Sequence, residues 1–286
     1  SNMKLSRQPF SEFKPRPQSG ADVLLEAKDE SEDLFEFYPE RAIYKKDWES
    51  IKAIFEWSHN NELNWLEYSW LVRPVAILFP GAKAELHIDE RVWEKTYEIL
   101  DGYRDDWVIF PNTAATLFLL FPDRRHKLGL DGIFFGQAKE KLREFRDTNW
   151  SGFGLLAHNL SILFPSRIAE LGLDKDAFNG IMDVLKKERS AKDWWTFGFM
   201  AEQLVLLFPD HKNEIHLDDE AMNGMKERLE EERVKGAWTD FCCLAMYLYV
   251  LCADSAQIAS DGQIHITPKK PKLTREPRPL PERLQI

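Results

Sequence analysis

Apolar residues in this chain fall into five matching rows. They are Trp65, Tyr68, Val72, Val75 and Leu78; Trp107, Phe110, Ala114, Leu117 and Leu120; Trp150, Phe153, Ala157, Leu160 and Leu163; Trp194, Phe197, Ala201, Leu204 and Leu207; and Trp238, Phe241, Ala245, Leu248 and Leu251. Steps of three, four, three and three put all five side chains of a row on one face of a helix. Each of the first four rows ends in Leu-Phe-Pro, and these motifs lie 42, 43 and 44 residues apart. In the fifth row Cys252-Ala253 replaces Phe-Pro. The proline lacks an N–H and pushes its predecessor out of the helical region, so each helix is predicted to stop there.

A second pattern follows each proline. The segments 86–89, 128–131, 171–174 and 215–218 end in Asp89, Asp131, Asp174 and Asp218. Aspartate caps helix N-termini by accepting from orphaned backbone N–H groups. Behind each aspartate comes a helical apolar series: Trp93, Tyr97 and Leu100; Phe135, Ala138 and Leu142; Phe178, Ile181 and Leu185; Met222, Met225 and Leu229. Arginine recurs near the end of these helices, at Arg104, Arg146, Arg189 and Arg233, where it suits the dipole and is expected to bond helix ends or neighbouring aspartates.

Each unit is therefore a capped amphipathic helix, a short turn, and a helix closed by proline. An earlier copy runs from Trp48 through Phe55, and a half copy (Leu24, Ala27, Leu34, Phe37) closes on Tyr38-Pro39. The expected organisation is a flexible segment 1–20, a degenerate cap 21–39, a repeat domain 40–266 and a tail 267–286. Residues 258–261 read as a last, faded capping segment. The fold class is all-α: an α-α superhelix (solenoid) of about five helix pairs. In period and two-helix content the region 40–260 resembles HEAT and armadillo proteins, whose units run ~40–47 residues. That resemblance is architectural and implies a stacked array with one continuous core.

Composition narrows the function. A net charge of −10 disfavours general nucleic-acid binding, leaving only weak attraction to the tail, where six basic residues stand against two acidic ones. No apolar stretch reaches the ~18 residues of a membrane span. Cys242, Cys243 and Cys252, odd in number and without metal-ligand spacing, read as reduced thiols of a cytoplasmic protein. Phosphate loops, nucleophile elbows and zinc motifs are missing from the sequence. No catalytic residue, metal or cofactor is therefore assigned.

The residues that break the template lie on the other side of the second helix, one, two, five, eight, nine and twelve positions after the leading tryptophan. Rings and uncharged polar groups gather there instead of surface charge. The candidate binding residues are Trp70, Arg73, Asn112, His158, Asn159, Trp195, Phe199, Glu202, Gln203 and Tyr247. Two placements are open: a groove on a concave surface, or ordinary core between repeats. Aromatic anchors beside amides suit an interface, so the leading expectation is a scaffold that binds a protein or peptide. The alternative is an enzyme with a small-molecule or sugar site in a polar cavity, where His158 and Glu202 share a column in adjacent repeats.

Overall fold

The computed structural model describes residues 45–60, 65–79 and 85–267. Five helix pairs appear among them. The outer helices are α1 (Lys45–Asn60), α3 (Glu90–Gly102), α5 (Gly132–Phe145), α7 (Lys175–Ser190) and α9 (Asp219–Lys235). The inner helices are α2 (Trp65–Leu78), α4 (Ile109–Leu120), α6 (Trp150–Leu163), α8 (Trp194–Leu207) and α10 (Trp238–Cys252). The expected cap 21–39, the segment 1–20 and the tail beyond Thr267 lie outside the described residues.

The caps form as the sequence requires. Asp131, Asp174 and Asp218 accept from the N–H of Phe134, Ala177 and Ala221 at 2.8, 2.9 and 3.0 Å, and Asp89 accepts from Arg91 and Val92. At the other end, Phe121, Phe164 and Phe208 leave the helix with φ near −130°. The prolines behind them do more than break the chain. Each opens a 3-10 turn, at Pro122–Lys127, Pro165–Glu170 and Pro209–Glu214, where its missing N–H would have had no partner anyway. Helix α4 starts at Ile109, two residues after its leading tryptophan, because Pro111 cannot donate to the Trp107 carbonyl; the late start places that proline in the first turn.

The apolar rows pack inner helices against outer ones. Tyr68, Val72, Leu117, Phe153, Leu160, Phe197, Leu204, Phe241 and Leu248 are all 2% exposed or less, and they belong to one continuous core. Close approach is built in at two glycines. A Cβ at Gly180 would lie 2.1 Å from the Trp150 ring, and one at Gly224 would lie 2.3 Å from Trp194.

The array closes on itself. Helix α2 packs on α4, α4 on α6, α6 on α8, α8 on α10, and α10 returns to α2. The helix-pair solenoid is thus a two-layer ring, with the inner helices around a central lumen. Outer helices sit over the inner seams: α3 against α2 and α4, α7 against α6 and α8, α9 against α8 and α10.

The recurring arginines stitch one unit to the next. Arg146 bonds Asp174 at 2.7 Å and Arg189 bonds Asp218 at 2.6 Å, in each case the cap of the following outer helix. Arg104 departs from this rule and pairs with Asp101 of its own helix.

One element differs from the sequence reading. Residues 255–267 form an antiparallel hairpin, β1 (Ser255–Ile258) with β2 (Ile264–Thr267), instead of a faded helix cap. Its turn is organised by Asp261, which accepts from Gln263 N–H at 3.0 Å, and by Gly262 at φ 80°. A Cβ at Gly262 would meet the Ile162 carbonyl at 2.3 Å and the Phe118 ring at 2.5 Å. The hairpin therefore lies against the C-terminal ends of the inner helices, with β1 on α8 and α10.

Candidate functional site in the lumen

The stripe that breaks the repeat template faces the lumen. Between the inner helices lies a partly open cavity, with about 800 Å³ of empty space once its open mouth is included. Its lining residues stand one, two, five, eight or nine positions after each leading tryptophan. Val108, Ile109, Trp195, Thr239 and Asp240 come from the first turns. Arg73, His158, Glu202, Gln203 and Tyr247 lie two turns deeper. The position-twelve residue Ile162 is at the level of the hairpin tip. The cavity thus runs from the N-terminal ends of the inner helices toward a floor backed by the hairpin.

Nine of the ten expected binding residues line this one cavity: Trp70, Arg73, Asn112, His158, Trp195, Phe199, Glu202, Gln203 and Tyr247. Asn159 is fully buried and joins them through Arg73. Neither an open groove nor plain inter-repeat core describes the stripe, because ring closure turns it inward around empty space. Among the lining residues that the sequence reading did not name as site candidates are Asp240, Thr239 and Pro74. An acid at position two of an otherwise apolar helix was the available signal for Asp240.

Arg73 is the centre of the polar floor. It reaches from α2 to two other helices. Its Nη1 donates to Asn112 Oδ1 at 3.0 Å and to Asn159 Oδ1 at 3.1 Å, and its Nη2 donates to His158 Nε2 at 2.8 Å. Since a guanidinium only donates, His158 must accept through Nε2 and carry its proton on Nδ1. Burial, with the Arg73 charge behind it, holds the imidazole well below its usual range and therefore neutral. The Arg73 value is itself lowered by burial and raised by Glu202.

Three of the five guanidinium N–H groups are used in these bonds. The Nε–H and one Nη2–H have no partner among the described residues. Other buried polar atoms in the same state are His158 Nδ1, Asn159 Nδ2, Gln203 Oε1 and Thr239 Oγ1. An unmatched buried polar atom costs about 1–3 kcal/mol, and these four lie in or beside the partly open cavity, where water or a ligand would supply the missing partners.

Glu202, on α8, is 2% exposed and makes no hydrogen bond or ion pair among the described residues. Burial lifts its carboxyl from 4.5 to about 7, and Arg73 pulls the other way. Arg73, His158, Glu202 and Met246 all stand eight positions after their leading tryptophans, so they ring the lumen at one depth.

The upper wall is aromatic. Trp195 stacks on Phe199 at 6.0 Å and meets Tyr247 edge-on at 5.5 Å, and its indole N–H donates to the Asp240 carbonyl at 3.3 Å. Pro74 lies inside α2, so the Trp70 carbonyl loses its helical donor; Cys243 Sγ approaches that oxygen at 3.9 Å from α10. Burial pushes the Cys243 thiol and the Tyr247 phenol up, leaving both neutral. No disulfide joins the three cysteines.

Comparison with protein-family models, with curated proteins and with solved structures finds no match. Function is accordingly argued from the lumen itself.

Proposed function

We propose that this protein binds a small organic molecule in the lumen of its helical ring. One observation carries the reading: the aromatic stripe, the buried Arg73 and Glu202, and several unmatched polar atoms surround a single cavity. Small-molecule sites are concave and mostly apolar and carry a few placed polar groups. A protein or peptide partner, the leading sequence expectation, needs an extended surface across repeats. Here the stripe lines a partly open recess, which a partner would enter only by inserting a short segment or a single side chain.

A second reading, an acid–base enzyme acting on a small molecule, is favoured by Glu202. A carboxyl near 7 holds a transferable proton at neutral pH. His158 does not complete a pair with it, since its Nε2 is committed to Arg73.

The test is ligand capture. Wild-type protein and Leu155→Trp, which fills the half-buried lumen wall, are incubated with the small-molecule fraction of a cell extract and compared by native mass spectrometry. A defined adduct on wild type that is lost in the variant supports the reading. Identical spectra for the two proteins, with or without adducts, overturn it. Circular dichroism confirms that the variant is folded.

A further inference from the structure

We propose that the lumen ligand is a small zwitterion: a molecule with a carboxylate and an ammonium close together on an apolar body, the carboxylate on Arg73 and the ammonium on Glu202 and Gln203. The proposal rests on the reading of the lumen as a small-molecule site.

In the ring order α2, α4, α6, α8, α10, helices α2 and α8 are not neighbours. Arg73 and Glu202 thus approach the cavity from opposite sides. They influence each other through space yet form no ion pair. Opposite charges in a low-dielectric interior attract strongly, and something must keep these two apart. Three neutral acceptors do so: Asn112, Asn159 and His158 pin the guanidinium in place. A chain that needed only an internal ion pair would not hold its arginine on two amides and an imidazole.

What remains exposed on each side defines the ligand. Arg73 keeps its Nε–H and one Nη2–H, donors suited to a carboxylate. Opposite them, Glu202 offers an unmatched carboxyl and Gln203 an unmatched Oε1, two adjacent acceptors on α8 suited to an ammonium. A lone anion would satisfy Arg73 and drive Glu202 to stay protonated. A lone cation would leave the Arg73 donors empty. A zwitterion satisfies both sides at once. Its apolar body would lie against Trp70, Trp195, Phe199 and Tyr247, the rings of the same cavity.

Protonation supplies an independent signature. Groups that act on Glu202 electrostatically are Arg73 from α2 and Cys243 and Tyr247 from α10, while neutral His158 from α6 and Asp240 from α10 line the same cavity. An ammonium beside Glu202 favours its ionised form, so binding should expel a proton and tighten as pH rises from 6 to 8. A lone carboxylate on Arg73 would have the opposite dependence.

The experiment is calorimetric titration of the full chain with L-phenylalanine, L-tryptophan and L-leucine, and with the two halves of the first, 3-phenylpropionate and 2-phenylethylamine. At least one amino acid is expected to bind, and phenylalanine is expected to bind at least tenfold more tightly than either half, with affinity rising with pH. Glu202→Gln should bring phenylalanine down to the level of phenylpropionate. Arg73→Gln should bring it down to that of phenylethylamine, with Arg73→Lys as a charge-retaining control should the glutamine variant misfold. Phenylpropionate or phenylethylamine binding as tightly as phenylalanine overturns the zwitterion and leaves the small-molecule reading standing. So does a failure of all three amino acids when the extract experiment still yields a lumen adduct. Failure of both experiments overturns both inferences.

Discussion

Arg233 and Asp47 stand 186 residues apart in sequence and form a 2.9 Å ion pair. It is the last step of a ladder in which three of the four recurring arginines hold the next outer helix near its start: Arg146 to Asp174, Arg189 to Asp218, and finally Arg233 back to α1. The closing pair is also the most buried step. Its side chains are 12% and 4% exposed, against 25% and 56% for Arg146 and Asp174. Removing one partner of a buried pair costs up to about 3–5 kcal/mol, whereas an exposed pair is worth about 0–1 kcal/mol. Urea denaturation should therefore show Arg233→Ala far more destabilised than Arg146→Ala. Equal small losses would show that the ring does not depend on this closure.

The glycines under the tryptophans give a prediction of sign. Gly180→Ala and Gly224→Ala would drive a methyl into an indole ring, and overpacking of this kind costs about 1–3 kcal/mol. Gly136 in α5 stands one position nearer its capping aspartate, on another face of the helix, and a Cβ there meets nothing within 4 Å. Gly136→Ala should instead stabilise by up to about 1 kcal/mol, through helix propensity alone. Thermal melts of the three variants distinguish the cases, and a stabilised Gly180→Ala would contradict the contact with Trp150.

Glu202 makes stability depend on pH in the direction opposite to an ion-paired acid. Burial raises its folded-state value from 4.5 to about 7, so the folded protein binds the extra proton between those limits. Its favourable contribution is complete below about 4.5, declines as pH rises through 7, and is absent above. At about 1.36 kcal/mol per unit the swing is on the order of 3 kcal/mol. Half-exposed Glu67 shifts in the same window, so the informative quantity is the difference between wild type and Glu202→Gln. The stability of wild type relative to the variant should fall from pH 4.5 to 7.5. A flat difference would mean that Glu202 is not buried as described.

Much of this was legible in the residue pattern. The row beginning at Trp150 and the cap at Asp174 announce a helix pair because burial on one face enforces a period and an orphaned helix end demands an acceptor. The lumen residues were legible by exception: Arg73, His158 and Glu202 stand where a surface helix would carry ordinary charge and an inner seam would carry leucine. Ring closure was not. It depends on the small rotation between successive pairs, summed over five units, and no single residue encodes that sum. Small residues at position four, such as Gly154 and Gly198, let neighbouring elements approach, yet they do not announce the turn per unit. The hairpin was missed for a different reason. Ile258 followed by Asp261 imitates the apolar-then-aspartate spacing of the capping segments, while the stronger signal lay in Asp261-Gly262 followed by Ile264 and Ile266.

That hairpin yields the last prediction. Gly262 has φ 80°, and a side chain there would be strained and would also strike the Ile162 carbonyl and the Phe118 ring. The backbone strain alone is worth about 1–2 kcal/mol, and neither obstacle is the flexible end of a side chain that can swing away. Gly262→Ala should therefore lift the turn off the inner helices without unfolding the ring, whose core rests on the rows and on α10 meeting α2. Amide hydrogen exchange is the measurement. The amides of residues 255–267 should exchange faster in the variant, while those of Leu160 and Leu204 keep their protection. Uniform loss of protection would make the hairpin part of the ring's cooperative core. Unchanged exchange would place the turn away from Ile162.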